Sequence, residues 1–364
     1  MPVNLEEWAS LAATYQVALG LIAAKAFTEV LLLWRRVSMD DLAGSTAAFA
    51  KAVLPAIRTR RRAARRLAIT FTRLERAVMA GVTYPDPDDP NPPGQHQLSQ
   101  LRREFEELVR ELAPGALVSN VIPDKNPLDD VDDGHAIEPA NGDKYRPYKA
   151  DDWTADRTVV SEMIDKLDEY LEELDSSQDA EAEALIRAHA IVKLTSTIEQ
   201  IDAEESEQVK KKVKNAKRKA KKKRKDAKDA AGVRVAAHAD RMVQNGGRHA
   251  AYVKGHLDDK VIGFARIHHP EGDAIPCGFC GMLLSRQVFY KTRKRAGGLR
   301  PENPDGSLGH SPDEYHNGDH CSAIEVYSRD QYNDSDMFTM NREMLRLWNT
   351  YIKNKFSGGE ALSQ

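Results

Sequence analysis

Residues 4–36 read NLEEWASLAATYQVALGLIAAKAFTEVLLLWRR. Leu5, Trp8, Leu11, Ala12, Tyr15, Leu19, Ile22, Ala23, Ala26, Phe27, Val30 and Trp34 recur there at steps of three and four. That is the period of a helix burying one stripe against neighbours, and it points to a mainly α architecture. Lys25, Thr28 and Glu29 interrupt the apolar stretch from Val17 to Trp34. It therefore reads as a buried amphipathic helix and not as a membrane span, which needs about 20 consecutive, predominantly apolar residues. The opening MPVNLEEWAS is acidic and lacks the basic n-region of a secretory signal.

Downstream, Ser38-Met39-Asp40-Asp41 has the form of a capping-box start. Helices are expected at 39–52 and 55–80, the second opened by Pro55 in its first turn and stopped by Gly81. Residues 84–94, YPDPDDPNPPG, contain five prolines and read as a linker. A helix resumes at 95–113. Residues 114–152, rich in Pro, Asp, Asn and Gly, read as an extended arm. These breaks divide the chain into an N-terminal helical domain (1–83), a linker with one helix (84–152), a charged helical hairpin or long helix (153–230), a small α+β module with Cys and His (231–330), and a C-terminal helix with a tail (331–364). Short strands fit Val261–Ile267 and Ala323–Tyr327. The last helix, about 336–356, carries Met337, Met340, Met344, Leu345 and Trp348 on its apolar side.

The charge balance is nearly neutral overall, with 53 basic and 56 acidic residues and a net charge of -3, but it is segregated along the chain. Glu162 to Glu183 holds ten acidic residues against one lysine. The sixteen residues from Lys210 to Lys225 hold twelve basic ones: Lys210, Lys211, Lys212, Lys214, Lys217, Arg218, Lys219, Lys221, Lys222, Lys223, Arg224 and Lys225. Like charges at four-residue spacing destabilise a lone helix, so the run calls for a partner. Three readings stay open: a solvated helix, a contact with nucleic acid or an acidic partner, and pairing with an acidic helix of the same chain. No aromatics interleave the run, so any DNA contact would be to phosphates, independent of sequence and sensitive to salt. A second basic cluster, Arg58, Arg60, Arg61, Arg62, Arg65 and Arg66, reads as a solvent face opposite Leu67, Phe71, Leu74 and Val78.

Three cysteines are too few and too odd in number for a disulfide scaffold, which implies a reducing compartment. All three fall in one region. Cys277 and Cys280 form a C-x-x-C, and Cys321 closes the segment Tyr315-His-Asn-Gly-Asp-His-Cys321. Three thiolates and one imidazole are a common structural zinc set, so Cys277, Cys280, Cys321 and either His316 or His320 are candidate ligands. The competing readings are three reduced cysteines in a small core, or a redox C-x-x-C, which wants a strand-to-helix setting that the flanks lack. His268-His269 reads as a loop pair, and Ser285, His238, Arg248 and His249 are assigned no chemistry.

The stretch GRHAAYVKGHLDDKVIGFARIHHPEGDAIPCGFCGMLLSRQVFY (247–290), with YHNGDHCSAIEVYSR (315–329) after it, resembles the C-terminal module of phage Mu F-like minor head proteins of tailed actinobacteriophages. The shared features are Phe264-Ala265-Arg266, the Cys-x-Phe-Cys knuckle, Met282 to Arg286, Tyr290 and the closing His-Cys. RRRAARRLAITFTRLERA (60–77) is similar, more weakly, to the family's helical half. The family often closes with His-x-His-Cys, and here the spacing is two residues longer.

The resemblance implies a head-morphogenesis component, made in the host cytoplasm and placed in the virion interior near the portal vertex. It would support capsid assembly and DNA packaging. Its implied partners are the portal protein, scaffold or major capsid protein, and packaged DNA, with no membrane. Two other functions compete with this one. A capsid maturation protease would need a nucleophile with a base, and the chain has neither a G-x-S-x-G nor an H-E-x-x-H motif. A non-specific DNA-binding protein would act through Lys210–Lys225.

Overall fold

The computed structural model describes residues 5–81, 98–117, 192–211, 215–256, 260–268, 276, 278–285 and 321–352. The whole Pro-rich linker 84–94, nearly all of the 114–152 arm, the acidic stretch 162–183, Lys212, Lys214, Cys277, His316, His320 and the C-terminal tail lie outside them. Of the described residues 84% are helical, and the strands form one two-stranded antiparallel sheet. In chain order the elements are α1 (Leu5–Trp34), α2 (Leu42–Ala80), α3 (Leu98–Leu112), α4 (Lys193–Lys210), α5 (Ala216–His256), β1 (Gly263–His268), α6 (Gly278–Leu284), β2 (Cys321–Val326), α7 (Arg329–Asp334) and α8 (Thr339–Leu347). The chain divides into two units.

The first unit is Met1–Gly20, Arg65–Asp165 and Gly247–Gln364. Its core gathers aromatics from distant sequence positions. Trp8 is fully buried, stacks on Phe338 at 5.7 Å between centroids, and donates its indole N–H to Glu75 Oε1 at 2.9 Å. Tyr15 lies parallel to Phe71 at 4.4 Å, and Phe71 reaches Phe105 of α3 at 6.0 Å. The α3 face is set by Leu101, Phe105, Leu108 and Val109, a four-, seven- and eight-residue stagger that puts all four on one side. Ion pairs Arg102–Glu7 and Arg73–Glu104 flank it.

In the same unit β1 and β2 pair so that Phe264 faces Glu325, Arg266 faces Ala323 and His268 faces Cys321. Directly opposed residues share a sheet face. On that face Phe264 and Ala323 pack with Leu283 of α6, with Val261 and Met282 beside them. On the opposite face, Ser322 donates to Gln16 Oε1 of α1 at 3.0 Å. Asn341 of α8 donates to the Arg266 carbonyl at 2.6 Å and to the Leu284 carbonyl at 3.2 Å, tying strand, α6 and α8 together. Ser328 caps α7 by accepting from Gln331 N–H.

The second unit is Leu21–Ala64 and Lys166–Gly246. Trp34 packs edge-on against Phe49 at 5.0 Å and donates to the Lys228 carbonyl at 2.9 Å. Asp41 is the true N-cap of α2, its carboxylate accepting from Gly44 N–H at 3.0 Å, so the helix starts three residues later than the 39–52 expectation. Nor does α2 break at Pro55, which sits inside it. A proline leaves the carbonyl four residues back without its donor. Here Pro55 and Lys51 are both exposed, which puts the break in the ladder on the solvent side, while Val53 and Ile57 on the inner face are buried and hold the helix through. The charged stretch is likewise two helices, α4 and α5, separated at Asn215, whose φ of 70° is a left-handed turn that asparagine tolerates.

Among the described residues one helix, α1, is long and apolar enough to cross a membrane by length and composition. Its Trp8, Ala12, Tyr15, Leu19, Ile22, Ala26, Val30 and Trp34 are all buried, which is the pattern of a core helix.

Candidate functional site

Two groups of chemistry-bearing side chains stand out. The first is the Cys/His corner of the small sheet. Cys321 opens β2 and Cys280 lies on α6; both are buried and not joined by a disulfide. Cross-strand register brings His268 opposite Cys321, with Nδ1 3.3 Å from Sγ. This corrects the reading of His268 as a loop residue. β1 runs one residue past Ile267, and the pairing that gives His268 its neighbour depends on strand register, which sequence spacing does not reveal. Arg248, nearly fully buried on α5, donates to the Cys321 carbonyl at 2.7 Å and so anchors the strand start. Cys277, His316 and His320 lie outside the described residues. Among the described residues no three His, Cys, Asp or Glu side chains converge as a metal-binding group.

Ser285 is buried at the end of α6, and its hydroxyl donates to the Met282 carbonyl at 2.7 Å. A serine spent on its own helix end makes a poor nucleophile. Tyr332 is buried beside Phe338, and burial raises its phenol well above the ordinary range, so it stays protonated.

The second group is the charged hairpin of the second unit. The acidic partner expected at 162–183 has a counterpart on α4, in Asp202, Glu204 and Glu205. Arg224 of α5 donates to Asp202 Oδ1 at 2.7 Å and to Glu205 Oε2 at 2.5 Å, and Lys223 meets Glu204 at 2.5 Å. The hydrogen bond to Asp202 is the main cause that raises the Arg224 pKa above its ordinary value. Lys225 pairs with Asp229 one turn on, and Lys211 pairs with Glu207. The remaining described cations of the run are exposed, with no acidic side chain paired to them among the described residues: Lys210, Lys217, Arg218, Lys219, Lys221 and Lys222. The acid stretch on α4 carries four carboxylates in six residues, Asp202 to Glu207. That composition signal is present in the sequence but is overshadowed by the longer one upstream.

The arginine cluster on α2 is not one solvent face. Arg61 is completely buried, Arg60 pairs with Glu29, and Arg58 and Arg62 are exposed. Gly246 of α5 makes room for Arg61: a Cβ there would sit 2.3 Å from Arg61 Cγ and 2.9 Å from its carbonyl oxygen.

No curated protein matches the chain, and no solved structure matches it. Residues 183–347, the span that holds α4 to α8, match the family model described as VG15 protein, a family of phage virion-associated proteins, and on this match the chain is a phage-encoded protein.

Proposed function

We propose that this chain is a minor head protein of a tailed phage, which binds the portal inside the capsid and supports assembly and DNA packaging. The observation that carries the reading is the VG15 match over 183–347, which falls on the same module as the Mu F-like resemblance. The described polar side chains of that module support a structural role. Arg248, Ser322, Gln331 and Asn341 spend their hydrogen bonds on holding helices to the sheet. Cys321 approaches His268 and is fully buried, a setting that suits a structural role. Deleting the gene is expected to leave particles that assemble or package poorly. Absence of the chain from mature particles, together with an uncleaved major capsid protein in the deletion, would instead favour a protease.

The same reading includes a structural zinc on Cys277, Cys280, Cys321 and one histidine, His316 or His320, with His268 added as a third contender by its position. The donors fit the ion in kind, since buried thiols and an imidazole are its usual ligands. Neighbouring S and N ligands on a tetrahedral zinc are separated by about 3.6 Å, given Zn–S and Zn–N lengths of about 2.3 and 2.05 Å. The His268–Cys321 separation of 3.3 Å is close to that value. Bound, the metal would contribute folding energy to the segment that it closes. Protein purified without chelator is expected to carry about one zinc per chain by elemental mass spectrometry. Cys321→Ser should abolish it, and EDTA should lower the Tm. A metal-free protein whose Tm ignores EDTA contradicts the zinc reading and leaves the head-protein reading standing.

A further inference from the structure

We propose that the outward face of α5, made by Arg218, Lys219, Lys221 and Lys222, binds the phosphates of duplex DNA, while Lys223 and Arg224 of the same run serve only the hairpin. Successive helical residues turn by about 100°. Ala216, Ala220 and Ala231 are buried and fix the inward direction. Arg224 lies about 40° from Ala220 and faces the α4 carboxylates, whereas Arg218 and Lys222 lie about 160–200° away. The run therefore divides its charge. The α4 acids neutralise one side of the helix, and four exposed cations on the other side have no acidic partner among the described residues.

The composition of that face selects the ligand. From Lys217 to Lys225 the only apolar residue is Ala220, which is buried. A protein partner would want apolar or aromatic groups at the centre of its footprint. A lipid surface would want an apolar face beside the cations. A phosphate backbone needs neither, only fixed cations at helical spacing. Contacts of this kind carry no sequence preference. The inference is independent of the portal and zinc readings.

The test uses the full-length chain and a fluorescent 25-base-pair duplex of arbitrary sequence, titrated by anisotropy from 50 to 200 mM NaCl. The variants are R218Q/K219Q/K221Q/K222Q and, for the inward side, K223Q. The wild type is expected to bind, with affinity falling steeply as salt rises. Each lost phosphate contact removes about 0.9 from the slope of log K against log salt. The wild type should therefore lose about 100-fold more affinity over this range than the quadruple variant. K223Q should leave the wild-type slope unchanged, the loss of a single phosphate contact being a change of about 0.9. All the substituted side chains are exposed, and circular dichroism checks that both variants remain folded. Three results overturn the proposal: no salt-dependent binding by the wild type, equal slopes for the wild type and the quadruple variant, or equally tight capture by polyglutamate or by phosphatidylglycerol vesicles. The last would assign the face to acidic surfaces in general. Absence of binding that is restored by neutralising the acids of 162–183 would assign it to the chain's own acidic segment.

Discussion

Replacing Trp8 with alanine is expected to destabilise the protein by about 3–5 kcal/mol, the usual cost of truncating a buried aromatic. Trp8 has no exposed surface, and its ring stacks on Phe338, which is itself fully buried against Tyr332. Its indole N–H is bonded to Glu75, a carboxylate with 0% exposure. The substitution thus opens a cavity between the start of α1 and the segment after β2, and it removes a donor from a buried carboxyl group. Loss of that donor alone costs about 1–3 kcal/mol. Trp8→Phe keeps most of the ring volume and discards the donor, so it should fall at the lower figure. Urea denaturation monitored by circular dichroism separates the two. Equal stability of Trp8→Phe and wild type would show that the Glu75 bond contributes nothing.

Gly246→Ala and Gly232→Ala form the second prediction, and here the sign is the test. Within a helix, Gly→Ala normally stabilises by about 1 kcal/mol. Both glycines lie in the interior of α5, so propensity alone predicts a gain at each. The packing predicts a loss. A Cβ at Gly232 would stand 2.2 Å from Trp34 Cδ1, and Trp34 is held by Phe49 and by the Lys228 carbonyl. A Cβ at Gly246 would meet Arg61 at Cγ and at the backbone oxygen, neither of which is the free end of a flexible chain. Overpacking of this kind costs about 1–3 kcal/mol. Valine at either site should cost more than alanine. A higher Tm for either alanine variant would contradict the close approach described for that glycine.

The features legible in the sequence are local and periodic. The repeat from Leu5 to Trp34 marks α1 within a residue or two, and Leu101, Phe105, Leu108 and Val109 mark α3. Both strands begin and end within two residues of their expected bounds. The misreadings come from non-local causes. Pro55 looks like a helix start because proline usually is one, and only the burial of Val53 and Ile57 keeps the helix running through it. Arg61 sits in a run of arginines that reads as a solvent face, and its burial depends on a glycine far along the chain. His268 gains its neighbour through strand register. The pairing of basic α5 with an acidic helix follows from charge chemistry, but the choice of Asp202 to Glu205 as its partners follows from the turn at Asn215. The zinc candidates rest on spacing, and three of them lie beyond the described residues.

The measurement that bears most directly on the head-protein account is the copy number of this chain in purified capsids, by quantitative mass spectrometry against the portal. The account predicts a low number, comparable to that of the portal, in particles that also contain packaged DNA. Absence of the chain from mature particles would contradict it.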